Sequence, residues 1–182
     1  MNAELTLEER KAQILIKLRK YKLEKRQERK DAISFLVKTP KKKNILLWCI
    51  PTEGTVGVAY VKQLGKIMKE EEVERGIVVT SGRYTQAAKA SAAKNKIELM
   101  PRIFPAFNIF NHELVPIHEI LSSEEREKLL SEYRVRPYQL PRVIASDPAV
   151  KAIGARPGDI VRIIRDSTTA GKYTAYRYVV EG

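Results

Sequence analysis

Cysteine, histidine and long apolar runs are all scarce in this chain of 182 residues. The single cysteine, Cys49, excludes an internal disulfide and a zinc site built on several thiolates. The longest apolar run, at 44–51, is one strand long, far short of the roughly 20 residues that span a bilayer. Charged side chains at 8–11 interrupt any signal-peptide pattern. We therefore expect an intracellular protein of the cytosol or nucleus.

Catalytic patterns are missing as well. His112 and His118 have no cysteine or paired carboxylate beside them, which favours structural roles over a metal site. The glycines at 54 and 57 lack the Gly-Lys-Ser/Thr of a phosphate loop and the third glycine of a dinucleotide motif. Cys49 lies inside an apolar run and is expected to be a buried, inert thiol. We predict no enzymatic activity, no cofactor and no metal.

Positive charge is what the chain has in excess, with a net charge of +12. Residues 1–43 hold 14 Lys and Arg against 6 Asp and Glu, whereas residues 112–182 hold 11 against 10. This asymmetry predicts one part that lies near a polyanion and another that packs against protein. Solubility alone is the alternative explanation of the excess lysines.

Residues 1–43 are predicted to form a basic helical segment. Thr6 and Glu9 have the spacing of a capping box, so a helix should begin at Leu7. Three apolar side chains then share one helical face: Ile14, Leu18 and Tyr21. We expect the charged stretch at 22–30 to be a solvated or a frayed part of the helix. The helix should end before Pro40, because the residue preceding a proline avoids the helical region.

Residues 44–108 alternate strand and helix patterns. Short apolar runs predict buried strands at 44–50 and 76–80, and a third strand at 97–104. Helical spacing is found at 58–72 and 84–95. This order favours an α/β domain with a parallel or mixed sheet covered by helices.

Residues 109–182 are predicted to form a small α+β domain, after a proline-containing connector at 105–118. Ser122 and Glu125 form a second capping box, which opens a helix through Tyr133. Asp147 and Pro148 suit the start of another helix. Strands are expected at 159–164 and 173–180, each after a glycine-containing turn.

Four segments of this last domain read HELVPIHEILSSE (112–124), QLPRVIASDP (139–148), GARPGDIVRIIR (154–165) and STTAGKYTAYRYVV (167–180). In order and in content they closely resemble the C-terminal assembly domain of the fifth-largest shared subunit of eukaryotic RNA polymerases, a module that by itself forms a small subunit of the archaeal polymerase. The earlier segments NILLWCI, GVAYVKQLGKIM and GIVVTSGRYTQAAK resemble that family's N-terminal jaw domain, whose α/β sheet is similar to that of some nucleases. The archaeal protein lacks the jaw, so the resemblance implies a eukaryotic enzyme or that of a large DNA virus.

The resemblance implies a non-catalytic polymerase subunit located in the nucleus, or in a viral factory or virion. Its assembly domain would anchor to the largest subunit, with the sixth shared subunit nearby. Proline, glycine, arginine and tyrosine would build a rigid docking face, although about half of these residues should serve the fold itself. The expected subunit-interface residues are His112, Leu114, Val115, Pro116, His118, Leu140, Pro141, Arg142, Asp147, Pro148, Arg165, Thr169, Gly171, Tyr173, Tyr176 and Arg177.

The same resemblance implies a lower jaw that approaches downstream duplex DNA. In the family, the turn after the second jaw strand tends to read Thr-Pro-Ser-Ala, whereas residues 85–88 here read Thr-Gln-Ala-Ala. A helix N-terminus flanked by basic side chains still suits sequence-independent phosphate contacts. The expected DNA-proximal residues are Arg83, Tyr84, Thr85, Gln86, Ala87 and Lys89.

Two alternatives belong to other functional classes. A free-standing DNA-binding transcription factor would need a recognition helix or finger, and the sequence shows neither pattern. A nuclease is suggested only by the expected topology of the first sheet, and it would need clustered acidic residues to hold a metal. The acidic residues Glu53, Glu74 and Glu98 are scattered along the sequence.

Overall fold

The computed structural model describes residues 5–29, 31–167 and 171–181. The chain divides into two compact units, Met1–Phe107 and Asn108–Gly182, which we call unit 1 and unit 2. Within the described ranges, no helix combines the length and the apolarity that crossing a membrane requires. Each unit has its own sheet and its own core.

Unit 1 is a mixed α/β domain. Its elements are α1 (Leu7–Leu18), β1 (Lys22–Arg29), β2 (Ala32–Lys38), β3 (Asn44–Ile50), β4 (Thr55–Val56), α2 (Val58–Glu70), β5 (Gly76–Thr80), β6 (Arg83–Tyr84), α3 (Gln86–Lys94) and β7 (Ile97–Leu99). The main sheet has the order β1-β2-β3-β5-β7, antiparallel from β1 to β3 and parallel from β3 to β7. This confirms the mixed sheet with helices. The short strands β4 and β6 pair with each other in parallel.

The central strands of unit 1 are covered on both faces, which is why they read as continuous apolar runs. Leu46, Trp48 and Ile50 of β3 belong to a buried cluster that includes Leu64 of α2. The alternate face of β3 meets α1, where the Cys49 thiol donates to the backbone oxygen of Glu8 (Sγ–O 3.7 Å). Unit 1 therefore has a core on each side of its sheet.

Strands β1 and β2 pair as an antiparallel hairpin, so the predicted helix is wrong beyond Leu18. The helix does begin as expected, with the capping box between Thr6 and Glu9, but it ends at Leu18, with Arg19 as its C-cap. Lys20 then turns the chain with a φ of +53°. Strand β1 lies at the sheet edge with most of its side chains exposed, and β2 pairs with β3, so residues 1–43 belong to the first domain.

Unit 2 is an α+β domain around a four-stranded sheet of order β8-β10-β11-β9. Its elements are a 3-10 turn (Ile109–Asn111), β8 (Ile117–Ile120), α4 (Ser123–Tyr133), a 3-10 turn (Pro137–Gln139), β9 (Arg142–Ile144), α5 (Pro148–Ile153), β10 (Ile160–Ser167) and β11 (Gly171–Val180). Strands β8, β10 and β11 are antiparallel to their neighbours, whereas β9 runs parallel to β11.

The two helices of unit 2 begin where the sequence predicts. The Ser122 hydroxyl accepts from the Glu125 N–H, and the Glu125 carboxylate accepts from the Ser122 N–H. Asp147 caps α5 through its Oδ1 atom, which accepts from two backbone N–H groups. Strands β8 and β9, of four and three residues, were not predicted, because so short a run cannot show a period.

The core of unit 2 is small. Five buried residues form its core cluster, with α5 packed on one face of the sheet: Val150, Ala155, Val161, Ile163 and Val179. On the other face, Arg162 donates to Glu119 of β8 and to Glu125 of α4. Ion pairs as exposed to solvent as these contribute little to stability, because water and salt screen them.

Candidate DNA-facing and subunit-docking surfaces

Two loops of unit 1 are held side by side at the carboxyl ends of β3 and β5. The Thr80 hydroxyl donates to the backbone oxygens of Ile50 and Thr52, at 3.0 and 3.3 Å. The Arg83 N–H donates to the Gly54 oxygen at 2.9 Å. A Cβ atom at Gly82 would lie 2.5 Å from that same oxygen, so this position accepts no side chain. The geometry fixes the residues that lead into α2 and α3.

The N-termini of α2 and α3 therefore emerge from neighbouring parallel strands, β4 and β6. Neither helix has an acidic residue in its first turn, in contrast with α1 and α4, whose first turns each carry two glutamates. Thr85 caps α3 by accepting from the Ala88 N–H at 3.1 Å. Aligned peptide dipoles leave partial positive charge at the N-terminus of each of these two helices, which favours an anionic ligand.

Most of the expected DNA-proximal side chains lie exposed at this edge. Arg83, Gln86, Ala87 and Lys89 are exposed, so a basic group stands on either side of the α3 N-terminus. Tyr84 differs, because its hydroxyl donates inward to the backbone oxygens of Val78 and Met100, at 3.3 and 3.0 Å. Burial raises the pKa of the Tyr84 phenol well above its ordinary value. Tyr84 thus anchors the loop within the fold, and we do not expect its hydroxyl to contact DNA.

Carboxylates that could serve metal-assisted cleavage are not gathered in unit 1. No group of three or more His, Cys, Asp or Glu residues is placed to hold a metal within the described residues. Glu98 accepts two bonds from the Arg19 guanidinium, at 2.7 and 2.9 Å. Glu74 lies 3.6 Å from the Lys43 ammonium, and Glu53 is exposed. Two of these three carboxylates thus face cations.

A groove of about 400 Å³ runs along β11 in unit 2. It brings together six of the expected interface residues, which are Leu140, Pro141, Arg165, Tyr173, Tyr176 and Arg177. Four further lining residues were not anticipated, namely Tyr133, Ile163, Thr174 and Ala175. We call this set of ten residues the docking groove. Tyr133 enters the groove from the end of α4, where its ring meets the Tyr176 ring edge-on with centroids 6.3 Å apart, and no local sequence signal marks that contact.

The expected interface residues just before and at the start of β8 form a separate group, which Ile117 of β8 joins. Leu114 is 83% exposed and Ile117 is 53% exposed, so this short segment leaves two large apolar side chains in water. His112 accepts the Leu114 N–H through Nδ1 at 3.2 Å, and the His118 ring packs against Phe110 with centroids 5.8 Å apart. Both imidazoles thus order the approach to β8, while its apolar side chains, with the half-buried Val115 and Pro116, remain open to a partner.

The remaining expected interface residues have roles within the fold. Asp147 is the N-cap of α5, followed by Pro148 at the first helical position. Gly171 opens β11 with a φ of +70°, in the region that favours glycine. The Arg142 backbone oxygen accepts from Arg177 at 3.4 Å. Thr169 lies outside the described residues.

Comparison with known proteins separates the two units. Residues 107–179 match the family described as RNA polymerase Rpb5, C-terminal domain, and residues 6–103 match a family described as restriction endonuclease. The chain is also similar to the apo structure of EndoMS, at 22% sequence identity and a TM-score of 0.41. The superposed region is 53% of this chain and 46% of the EndoMS chain.

Relatives with the same domain are known from several organisms. The chain is 64% identical over 75 residues to the DNA-directed RNA polymerase subunit Rpo5 of Pyrococcus abyssi, which is 41% of this chain and 92% of that protein. It is 37% identical over 134 residues to subunit RPABC1 of DNA-directed RNA polymerases I, II and III of Caenorhabditis elegans, which is 71% of this chain and 64% of that protein. The second similarity extends from unit 2 into unit 1.

Proposed function

Because this chain belongs to the family of RNA polymerase subunits that contains Rpo5 and RPABC1, with a domain of a restriction endonuclease family as its first unit, we propose that it is a structural subunit of a multisubunit DNA-directed RNA polymerase. The observation that carries this proposal is the close similarity of unit 2 to nearly the whole of Rpo5. Its relatives are named as polymerase subunits, which argues against a free-standing transcription factor. The subunit itself performs no catalysis.

Unit 2 is proposed to anchor the subunit to the largest polymerase subunit, with the sixth shared subunit nearby. The docking groove and the exposed Leu114 and Ile117 support this role, since a small domain gains little by leaving tyrosine, leucine and isoleucine in water. Arginine and tyrosine are also enriched among residues that dominate protein–protein binding.

Unit 1 is proposed to lie along downstream duplex DNA as a lower jaw. Its support is electrostatic, because residues 1–107 hold 23 Lys and Arg against 12 Asp and Glu. Arg83, Lys89 and two helix N-termini without acidic first turns face one edge. Such contacts neutralise phosphates without reading bases, so binding should be independent of sequence and weaken with salt.

Purification of the tagged full chain from its source, followed by mass spectrometry, tests the assignment. We expect the two large polymerase subunits in stoichiometric yield, and their identity names the polymerase class. The location then follows that of the enzyme, which is the nucleus for a polymerase of the RPABC1 type. Recovery of the chain alone, or with unrelated proteins at moderate salt, would contradict the assignment.

Crosslinking in the assembled polymerase tests the jaw. A photo-crosslinker at Gln86, which is exposed at the N-terminus of α3, should label downstream duplex DNA. The matched control places the same group at Asn95, also exposed but at the other end of α3. Equal labelling from both positions, or none from Gln86, would contradict the proposed orientation while leaving the polymerase assignment intact.

Nuclease activity is the second candidate, because unit 1 matches a restriction endonuclease family. We expect no cleavage of duplex or single-stranded DNA by the purified chain with Mg²⁺ or Mn²⁺. Metal-dependent cleavage that survives further purification, and that changes when Glu98 is replaced by Gln, would favour this candidate.

A further inference from the structure

One edge of β11 is left open over most of its length. On one side β11 pairs with β10 from Gly171 to Tyr178. On the other side β9 pairs only with residues 178–180. No strand among the described residues pairs with this second edge between 171 and 177. The open stretch spans about 20 Å at the usual rise of a strand, which is room for roughly five residues of a partner.

The backbone groups that face this open edge are identified by their neighbours. The Tyr178 N–H donates to the Pro141 oxygen on the β9 side, whereas the Val179 N–H donates to the Asp159 oxygen on the β10 side. Because alternate residues of a strand point their hydrogen-bonding groups to opposite sides, Lys172, Thr174 and Tyr176 present theirs to the open edge.

The docking groove lies along this edge and ends at Pro141, just before β9 begins. The groove occupies the position beside β11 that β9 would fill if that strand began a few residues earlier in the chain. Those earlier residues instead form the 3-10 turn at Pro137–Gln139. An extended segment in the groove would therefore lie in line with β9 and continue the sheet. Exposed edges of this kind are usual sites for strand addition.

Other long edges of the molecule are guarded against such pairing. Strand β1 of unit 1 carries five exposed charged side chains: Lys22, Glu24, Lys25, Arg26 and Glu28. The β8 edge of unit 2 is only four residues long, follows Pro116, and carries Glu119. The β11 edge has Thr174 and Tyr176 beside Lys172, and Tyr173 is 61% exposed. It thus has fewer of the charges that discourage pairing.

The side chains of the groove indicate the chemistry of the occupant. Register places Tyr173 opposite Arg165 and Ala175 opposite Ile163, so Arg165, Arg177 and Tyr173 share one face. Tyr176 and Thr174 lie on the other face, with the Tyr133 ring against Tyr176. None of the ten described residues lining the groove is acidic. Carboxylates on one face and apolar side chains on the other would complement this pattern.

We propose that the open edge of β11 binds an extended segment of another polymerase subunit, in which acidic and apolar side chains alternate, as an added fifth strand of the unit 2 sheet. This inference rests on the proposed function and adds how the partner is held. Backbone hydrogen bonds to Thr174 and Tyr176 would align the segment, and Arg165 and Arg177 would select its carboxylates.

Thr174→Pro in the full chain tests the strand, because proline removes the outward N–H and leaves the bonds to β10 in place. Thr174→Val keeps that N–H and is the matched control. The probe is the purified polymerase after removal of the endogenous copy of this protein. We expect Thr174→Pro to weaken binding at least about tenfold, as for the loss of one backbone hydrogen bond and close fit, while Thr174→Val stays within about twofold.

Hydrogen exchange on the same samples reads the edge directly. The Thr174 and Tyr176 amides should exchange quickly in the free chain and become protected on assembly. An unchanged unfolding transition and retained protection of the β10-facing amides would confirm that unit 2 stays folded in Thr174→Pro. Where it does not, Arg165→Glu carries the test, with Lys128→Glu on the exposed part of α4 as its charge-matched control; Arg165→Glu should weaken binding about tenfold.

Each other outcome overturns a defined statement. If the chain assembles but the edge amides stay unprotected and both substitutions at Thr174 bind like the wild type, the added strand is wrong and the polymerase assignment stands. If the wild-type chain does not assemble at all, both fall. If protection appears in the isolated chain together with a dimer in sedimentation, the occupant is a second copy and the proposal is overturned.

Discussion

The two units of this protein bury their apolar side chains to different extents. Unit 1 encloses its central strands with helices on both faces, and it buries Trp48, Leu47 and Leu64 almost completely. Unit 2 has five residues in its core cluster and leaves Leu114 and Tyr173 largely exposed. The difference indicates that unit 1 is stabilised by its own packing and interacts through charge, whereas unit 2 keeps apolar surface for a partner.

The largest expected effect is on the rate at which a thiol reagent labels Cys49, which should differ strongly between folded and unfolded unit 1. Burial, with the carboxylates of Glu9 and Glu8, raises the pKa of this thiol well above its ordinary value. In the native chain at pH 8, we expect a thiol reagent to label Cys49 at least about a thousandfold more slowly than in the denatured chain, because labelling requires opening of the core. Rapid labelling without loss of structure would show that the core of unit 1 is open.

Leu64→Ala should destabilise unit 1 next most strongly. Leu64 is fully buried in the α2 side of the core, and such truncations cost about 2–5 kcal/mol through lost burial and the cavity left behind. Trp48, the single tryptophan, reports this unit alone by fluorescence during urea unfolding.

Leu114→Ala in unit 2 is the comparison substitution, with the unfolding of the whole chain followed by circular dichroism, because Trp48 does not report unit 2. Leu114 is 83% exposed, so its truncation should change stability by less than about 0.5 kcal/mol. Equal destabilisation by the two substitutions would remove the contrast between a closed and an open unit.

Tyr173→Ala reverses the comparison, because it should weaken assembly without destabilising unit 2. An exposed tyrosine in a binding groove contributes mainly when a partner covers it, so we expect polymerase binding to fall about thirtyfold. Tyr138→Ala is the matched control, since Tyr138 is similarly exposed (55%) but lies outside the docking groove. If Tyr173→Ala lowers the free energy of unfolding of unit 2 by as much as it lowers the free energy of binding, Tyr173 serves the fold and not the partner.

Sequence patterns anticipated the capped and fully buried elements best. The capping boxes at Thr6 and Ser122 and the buried strands β3 and β5 carry local signals that the fold retains. Strand β1 does not, because an edge strand exposed on both faces has no reason to alternate.

The docking groove could be predicted only in part. Arg165 and Tyr173 were anticipated from the resemblance, but Tyr133 joins them from a different element. Its position depends on how α4 packs on the sheet, a tertiary contact that no local pattern contains. The unpaired edge of β11 depends likewise on where β9 ends.

Removal of two charges tests whether unit 1 acts through electrostatics. The double substitution of Arg83 and Lys89 by Gln should weaken duplex binding by the chain about tenfold and lower the salt slope by about 2, equally for all sequences. The charge-matched control replaces Lys94 and Lys96, near the other end of α3, by Gln and should have a smaller effect on duplex binding. Sequence-dependent losses would instead indicate base contacts by these side chains.

Asp147 gives the smallest effect and separates a cap from a docking residue. Its Oδ1 atom accepts from the Ala149 and Val150 N–H groups, at 2.8 and 3.2 Å, so Asp147→Ala should cost unit 2 about 1 kcal/mol. Asp147→Asn keeps the capping oxygen and removes the charge. If Asp147 serves only the start of α5, Asp147→Asn retains both stability and polymerase binding. If it retains stability but binds several-fold more weakly, the carboxylate contacts a partner, and the docking surface of unit 2 extends beyond the groove to the N-terminus of α5.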